Sequence, residues 1–67
     1  MVTARMVREA ASTHRMHVTR YDGEWRITPS ELSGPKAEAV AYYTDDNDDA
    51  YMTMVSMRRT QDNLNKG

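Results

Sequence analysis

Apolar residues fall at alternate positions at Met16 and Val18, and again at Trp25, Ile27 and Pro29, on either side of Asp22-Gly23. Alternation with a period of two is the mark of a half-buried strand, and Asp-Gly is a favoured pair for a two-residue type I′ hairpin turn. Such a turn fixes the register. Tyr21 faces Glu24, Arg20 faces Trp25, Val18 faces Ile27 and Met16 faces Pro29. One face of the ribbon then carries Met16, Val18, Arg20, Trp25 and Ile27, and the other carries His17, Thr19, Tyr21, Arg26 and Thr28. The pattern predicts a hairpin, 14–21 paired with 24–29, with an apolar side to bury and a guanidinium at Arg20 placed to lie on the Trp25 indole.

The period changes in the last third. Ala50, Met54, Met57, Gln61 and Leu64 recur at helical spacing, with Tyr51 and Arg58 at the border of the stripe. Asp45, Asp46, Asp48 and Asp49 crowd the start of this segment, where carboxylates cap free N–H groups and complement the helix dipole. Arg58 and Arg59 lie toward the opposite end, as the dipole also prefers. These features predict a helix over 46–62. Met52 and Val55 fall off the stripe, which leaves a strand over 51–57 as the alternative.

Two segments are less clearly marked. Val2, Met6, Val7, Ala10 and Ala11 sit near helical spacing, so residues 1–13 read as a short N-terminal helix or a flexible tail. Pro29 to Pro35 is a loop by composition. After it, Lys36 to Ala39 favours a helix, whereas Val40, Tyr42, Tyr43 and Thr44 favour a strand. The acidic start of the next helix tips the reading to a strand over 37–44. The fold expected is α+β: a small two-layer domain over 14–64, in which a three-stranded antiparallel sheet is packed by the C-terminal helix, with a flexible C-terminus at 65–67.

Composition adds a constraint. The chain has 67 residues, no Phe, no Cys and only eight Val, Ile and Leu, so six Met, four Tyr and one Trp must supply the missing apolar bulk. A single domain of this size with so thin a core is expected to be marginally stable and open to self-association. The absence of Cys excludes a disulfide framework, a thiolate metal site and a cysteine nucleophile. No apolar run reaches the length of a membrane span or a secretory core, which leads to the expectation of a cytoplasmic protein of bacterial or phage type with no membrane partner.

Catalytic and metal chemistry find little footing. Asp45, Asn47 and Asp49 match the first ligand places of a calcium loop, but Ala50 stands where its glycine belongs and Ser56 where its bidentate glutamate belongs. His14 and His17 are three apart on a strand and point to opposite faces, so they do not share a metal. No serine sits in a nucleophile turn and no glycine-rich phosphate loop exists. The expectation is a non-enzymatic protein with no catalytic residues, no cofactor, no metal and no small-molecule substrate.

Two binding readings remain. Residues 1–36 carry six basic and four acidic side chains, and residues 37–67 carry three basic and six acidic ones. Such a dipolar surface suits docking to a protein partner or pairing of copies as a dimer, with Tyr42, Tyr43 and Tyr21 as candidate interface anchors. The alternative is a weak nucleic-acid-binding module. Arg15, Arg20, Arg26 and His17, with the N-terminal arginines, would contact phosphates. An order α-β-β-β-α would be similar to that of double-stranded-RNA-binding domains, but those carry lysines at the entry to the last helix, where this chain has Asp48-Asp49. Protein association is the leading expectation.

Overall fold

The computed structural model describes residues 1–65. Six elements follow one another: α1 (Ala4–Thr13), β1 (Met16–Tyr21), β2 (Glu24–Pro29), α2 (Gly34–Val40), β3 (Tyr42–Thr44) and α3 (Asn47–Asn65). The strands form one antiparallel sheet in the order β1-β2-β3. The β1–β2 register is the one the turn dictates, from Tyr21 opposite Glu24 to Met16 opposite Pro29. Asp22 and Gly23 both adopt positive φ, 54° and 81°, as a type I′ turn requires.

α1 and α3 pack on the face that carries Met16, Val18, Trp25 and Ile27, burying Met16, Trp25 and Ile27 with Val7, Ala10, Ala11, Ala50 and Met54 and partly covering Val18. Residues 1–13 are therefore largely helix. Thr3 begins α1, its Oγ1 accepting the Met6 N–H at 3.2 Å. At the far end Arg15 turns the chain into β1 through a left-handed conformation, φ 55°. Asp46 caps α3, its Oδ1 accepting the Asp48 N–H at 2.9 Å. Met54 is fully buried, whereas Leu64 at the end of the same stripe is exposed.

The segment expected as a strand over 37–44 divides in two. Only Tyr42–Thr44 pairs with β2, and Gly34–Val40 is a helix. Ser33 and Pro35 set its first turn and Lys36-Ala37-Glu38-Ala39 favours helix locally, so propensity prevails where the acidic run downstream argued for extension. α2 lies against the opposite side of the sheet from α1 and α3, burying Ala37 and pairing Glu38 with Arg26. The two-layer core thus gains a partial third layer over the middle strand. α3 also runs to Asn65, past the expected end at 62. Of the C-terminal residues expected to be flexible, 66 and 67 lie outside the described residues. Among the described residues no helix is long and apolar enough to cross a membrane.

Candidate functional site

The α1–β1 turn, the β2–α2 loop and α3 converge on one buried guanidinium. Arg58 follows Ala50 and Met54 at four-residue steps, so α3 delivers it to the sheet-facing side, where it is 7 % exposed. Its Nε donates to the His14 carbonyl at 2.7 Å, and Nη2 donates to the Arg15 carbonyl at 2.8 Å. Nη1 and Nη2 grip the two Glu31 oxygens at 2.8 and 2.9 Å, and Nη1 also reaches Asp62 at 3.4 Å. All five N–H groups have acceptors. The bond to Arg58 and a backbone N–H bond hold the Glu31 carboxyl down from its ordinary 4.5 to about 2. A neighbouring hollow lined by Ala11, Ser12, Arg15, Met16, Ser30 and Glu31 borders this cluster. Every donor of Arg58 is taken up within the chain, which makes the cluster an internal tie.

The expected contact residues are separated by the fold. Tyr42 shares the Ile27 side of the sheet and its hydroxyl donates to Asp49 at 2.7 Å, which raises the phenol's pKa and lowers the carboxyl's. Tyr43 faces α2, its hydroxyl donating to Glu38 at 3.4 Å. Tyr21 stands at the hairpin tip, 87 % exposed and far from both in the strand order. The three tyrosines do not form one surface.

The arginines are mostly paired within the chain. Arg26 pairs with Glu38, and its pKa is raised by Glu38 and then Tyr43. Arg15 pairs with Asp62 at 3.3 Å, and Arg5 with Glu9 at 3.0 Å. Arg20 lies 4.7 Å from the Trp25 ring centre, as the register implies, and Arg8 of α1 lies 5.3 Å from it. Neither has a carboxylate partner among the described residues. The indole is fully buried and its Nε1 donates to Asn47 Oδ1 at 2.8 Å. His17 is exposed on the outer face of β1. Among the described residues no group of three or more His, Asp or Glu side chains converges to hold a metal ion.

A surface that the sequence did not single out is the groove between the end of α2, β3 and α3. Pro29, Val40, Tyr42, Met57 and Leu64 supply its apolar lining, and Thr53, Thr60 and Gln61 supply polar groups, around a volume of about 380 Å³. Val40 is 46 % exposed and Leu64 69 %. The signal was present in part: Leu64 continues the stripe of α3 beyond the reach of the sheet. The division at Ala41 that turns Val40 outward was not readable. No known protein family, curated protein or solved structure matches the chain.

Proposed function

We propose that the protein is a non-catalytic module that binds another polypeptide, and that the groove between α2, β3 and α3 receives an apolar side chain of that partner. The observation that carries the reading is the use of scarce apolar residues. Of eight Val, Ile and Leu in the chain, Val40 and Leu64 lie exposed in this one groove beside Tyr42 and Met57. Exposed apolar residues gathered in a concave patch with a polar rim are characteristic of protein-binding sites. Tyr42 has an aromatic face in the groove and a hydroxyl anchored on Asp49, a preorganised arrangement for a contact residue.

The test is photo-crosslinking in the native cell with a benzophenone amino acid at Val40, compared with the same probe at Tyr21. The reading expects a discrete adduct from position 40 that Leu64→Asp removes. Equal or absent labelling at both positions would refute it.

Arg8 and Arg20 support a second reading, contact with nucleic-acid phosphates, because they flank Trp25 without carboxylate partners among the described residues. Internal pairing of Arg15 and Arg26 weakens it. This reading expects a complex in an electrophoretic shift assay at low salt that fades steeply as salt rises. No complex at any salt concentration would remove it.

A further inference from the structure

α3 has a second ridge on the side away from the sheet. Asp48, Met52, Val55 and Arg59 follow one another at steps of four, three and four residues, the spacing that keeps side chains on one seam of a helix. None of them belongs to the buried core, and Met52 is 72 % exposed. Tyr51, Met52, Val55, Ser56 and Arg59 border a shallow trough along this ridge. Tyr51 also lines a neighbouring depression with Met6 of α1, so the apolar surface continues onto the second helix.

The order of charges along the ridge identifies what fits it. The acidic residue is at the N-terminal end, the basic one at the C-terminal end, and two apolar residues lie between. A twofold axis midway between Met52 and Val55 sets Met52 of one copy on Val55 of the other. The same axis sets Asp48 against Arg59, and both contacts occur twice. Asp48 uses Oδ1 for the Val2 N–H at 3.1 Å, and neither its Oδ2 nor Arg59 has a partner among the described residues. The antiparallel arrangement also opposes the two helix dipoles, whereas a parallel one would crowd Asp48 against Asp48. Ser56 beside the ridge is small enough for close helix approach.

We infer that this ridge is the interface of an antiparallel homodimer, formed by α3 against α3 of a second copy. Its four ridge residues are separate from the lining of the groove proposed above, with Ser56 at the border of both, and it does not depend on that reading. A seam of this length is smaller than a standard interface, so the dimer dissociates readily.

Sedimentation velocity on the full chain tests it, from about 10 µM to about 1 mM, where an interface well below the roughly 1,600 Å² of a standard complex is expected to dissociate. The sedimentation coefficient should rise with concentration to that of a dimer. Arg59→Glu, at an exposed position, should raise the dissociation constant at least about tenfold by setting two acidic residues face to face. The double variant Asp48→Arg/Arg59→Glu should bring it back toward the wild-type value, and Val40→Asp in the groove should leave it unchanged. Circular dichroism of each variant verifies folding. A chain that stays monomeric at the highest concentration overturns the proposal. So does a dimer insensitive to both Arg59→Glu and Met52→Lys, or one that Val40→Asp dissolves.

Discussion

Arg58 and Glu31 are 27 positions apart in the chain and meet through two parallel hydrogen bonds, 2.8 and 2.9 Å long. The remaining guanidinium N–H groups hold the carbonyls of His14 and Arg15 and the Asp62 carboxylate, so one side chain of α3 ties the end of α1 to the loop after β2. The His14 and Arg15 carbonyls are among the backbone acceptors left over where α1 ends. Arg58 serves there as a cap delivered from elsewhere in the fold. Ser30 donates to the Arg15 carbonyl at 3.0 Å as well, which joins the same turn to the end of β2.

Removing this guanidinium takes the donor from the Glu31 carboxylate and the His14 carbonyl, and leaves the Arg15 carbonyl with the Ser30 N–H alone. Arg58→Met keeps much of the stem's packing and deletes only the charge and donors. It is expected to cost about 1 to 3 kcal/mol, the range for losing hydrogen bonds to charged groups where Arg58 is buried and Glu31 is one-third exposed. Urea unfolding followed by Trp25 emission measures this. Glu31→Gln should cost distinctly less, because an amide oxygen still accepts one of the two bonds. Equal losses would show that the carbonyl contacts contribute little.

The same pair predicts acid sensitivity. The Glu31 carboxyl titrates at about 2 in the fold, against an ordinary 4.5. Its folded pKa is depressed, so the stabilisation is complete above the unfolded value and is lost as pH falls from about 4.5 through about 2. Urea midpoints measured from neutral pH to pH 2 should decline through that window in the wild type. Glu31→Gln should show a shallower decline over the same interval. Identical slopes would contradict the assignment.

Asn47 bridges two distant parts of the chain. Its Oδ1 accepts from Trp25 Nε1 at 2.8 Å, and its Nδ2 donates to the Val2 carbonyl at 3.2 Å. Asn47→Ala strands a buried indole N–H and is expected to cost about 1 to 3 kcal/mol. Asn47→Asp retains the acceptor for the indole and loses the donor to Val2, so it should fall between Ala and wild type. Unfolding free energies of the three proteins decide the order.

The sequence was most legible where local chemistry and side-chain alternation agree. Asp22-Gly23 set the turn, the turn set the register, and the register placed Arg20 over Trp25 at 4.7 Å. Asp46 likewise marked the start of α3. Legibility failed at Lys36 to Thr44, where helix-favouring alanines run directly into β-branched and aromatic residues, so the nine positions supported two assignments and the structure uses both in turn. The role of Arg58 was only half visible. Its place beside the apolar stripe could be read, but its acceptors at His14, Arg15 and Glu31 come from other elements and depend on the assembled fold. The groove was hidden for the same reason, since α2, β3 and α3 each contribute to it.

The hairpin turn offers a test of conformational preference separated from packing. Gly23 has φ 81°, and a Cβ built there would meet nothing within 4 Å. Any loss on substitution therefore arises from the backbone conformation. An L-alanine at this position must adopt a left-handed conformation it disfavours, at a cost of about 1 kcal/mol. A D-alanine prefers positive φ and has fewer unfolded conformations to lose than glycine. Chemical synthesis of the chain with L-alanine and with D-alanine at 23 should therefore move stability in opposite directions from wild type. If both variants destabilise equally, the explanation would shift from the sign of φ to the loss of glycine itself.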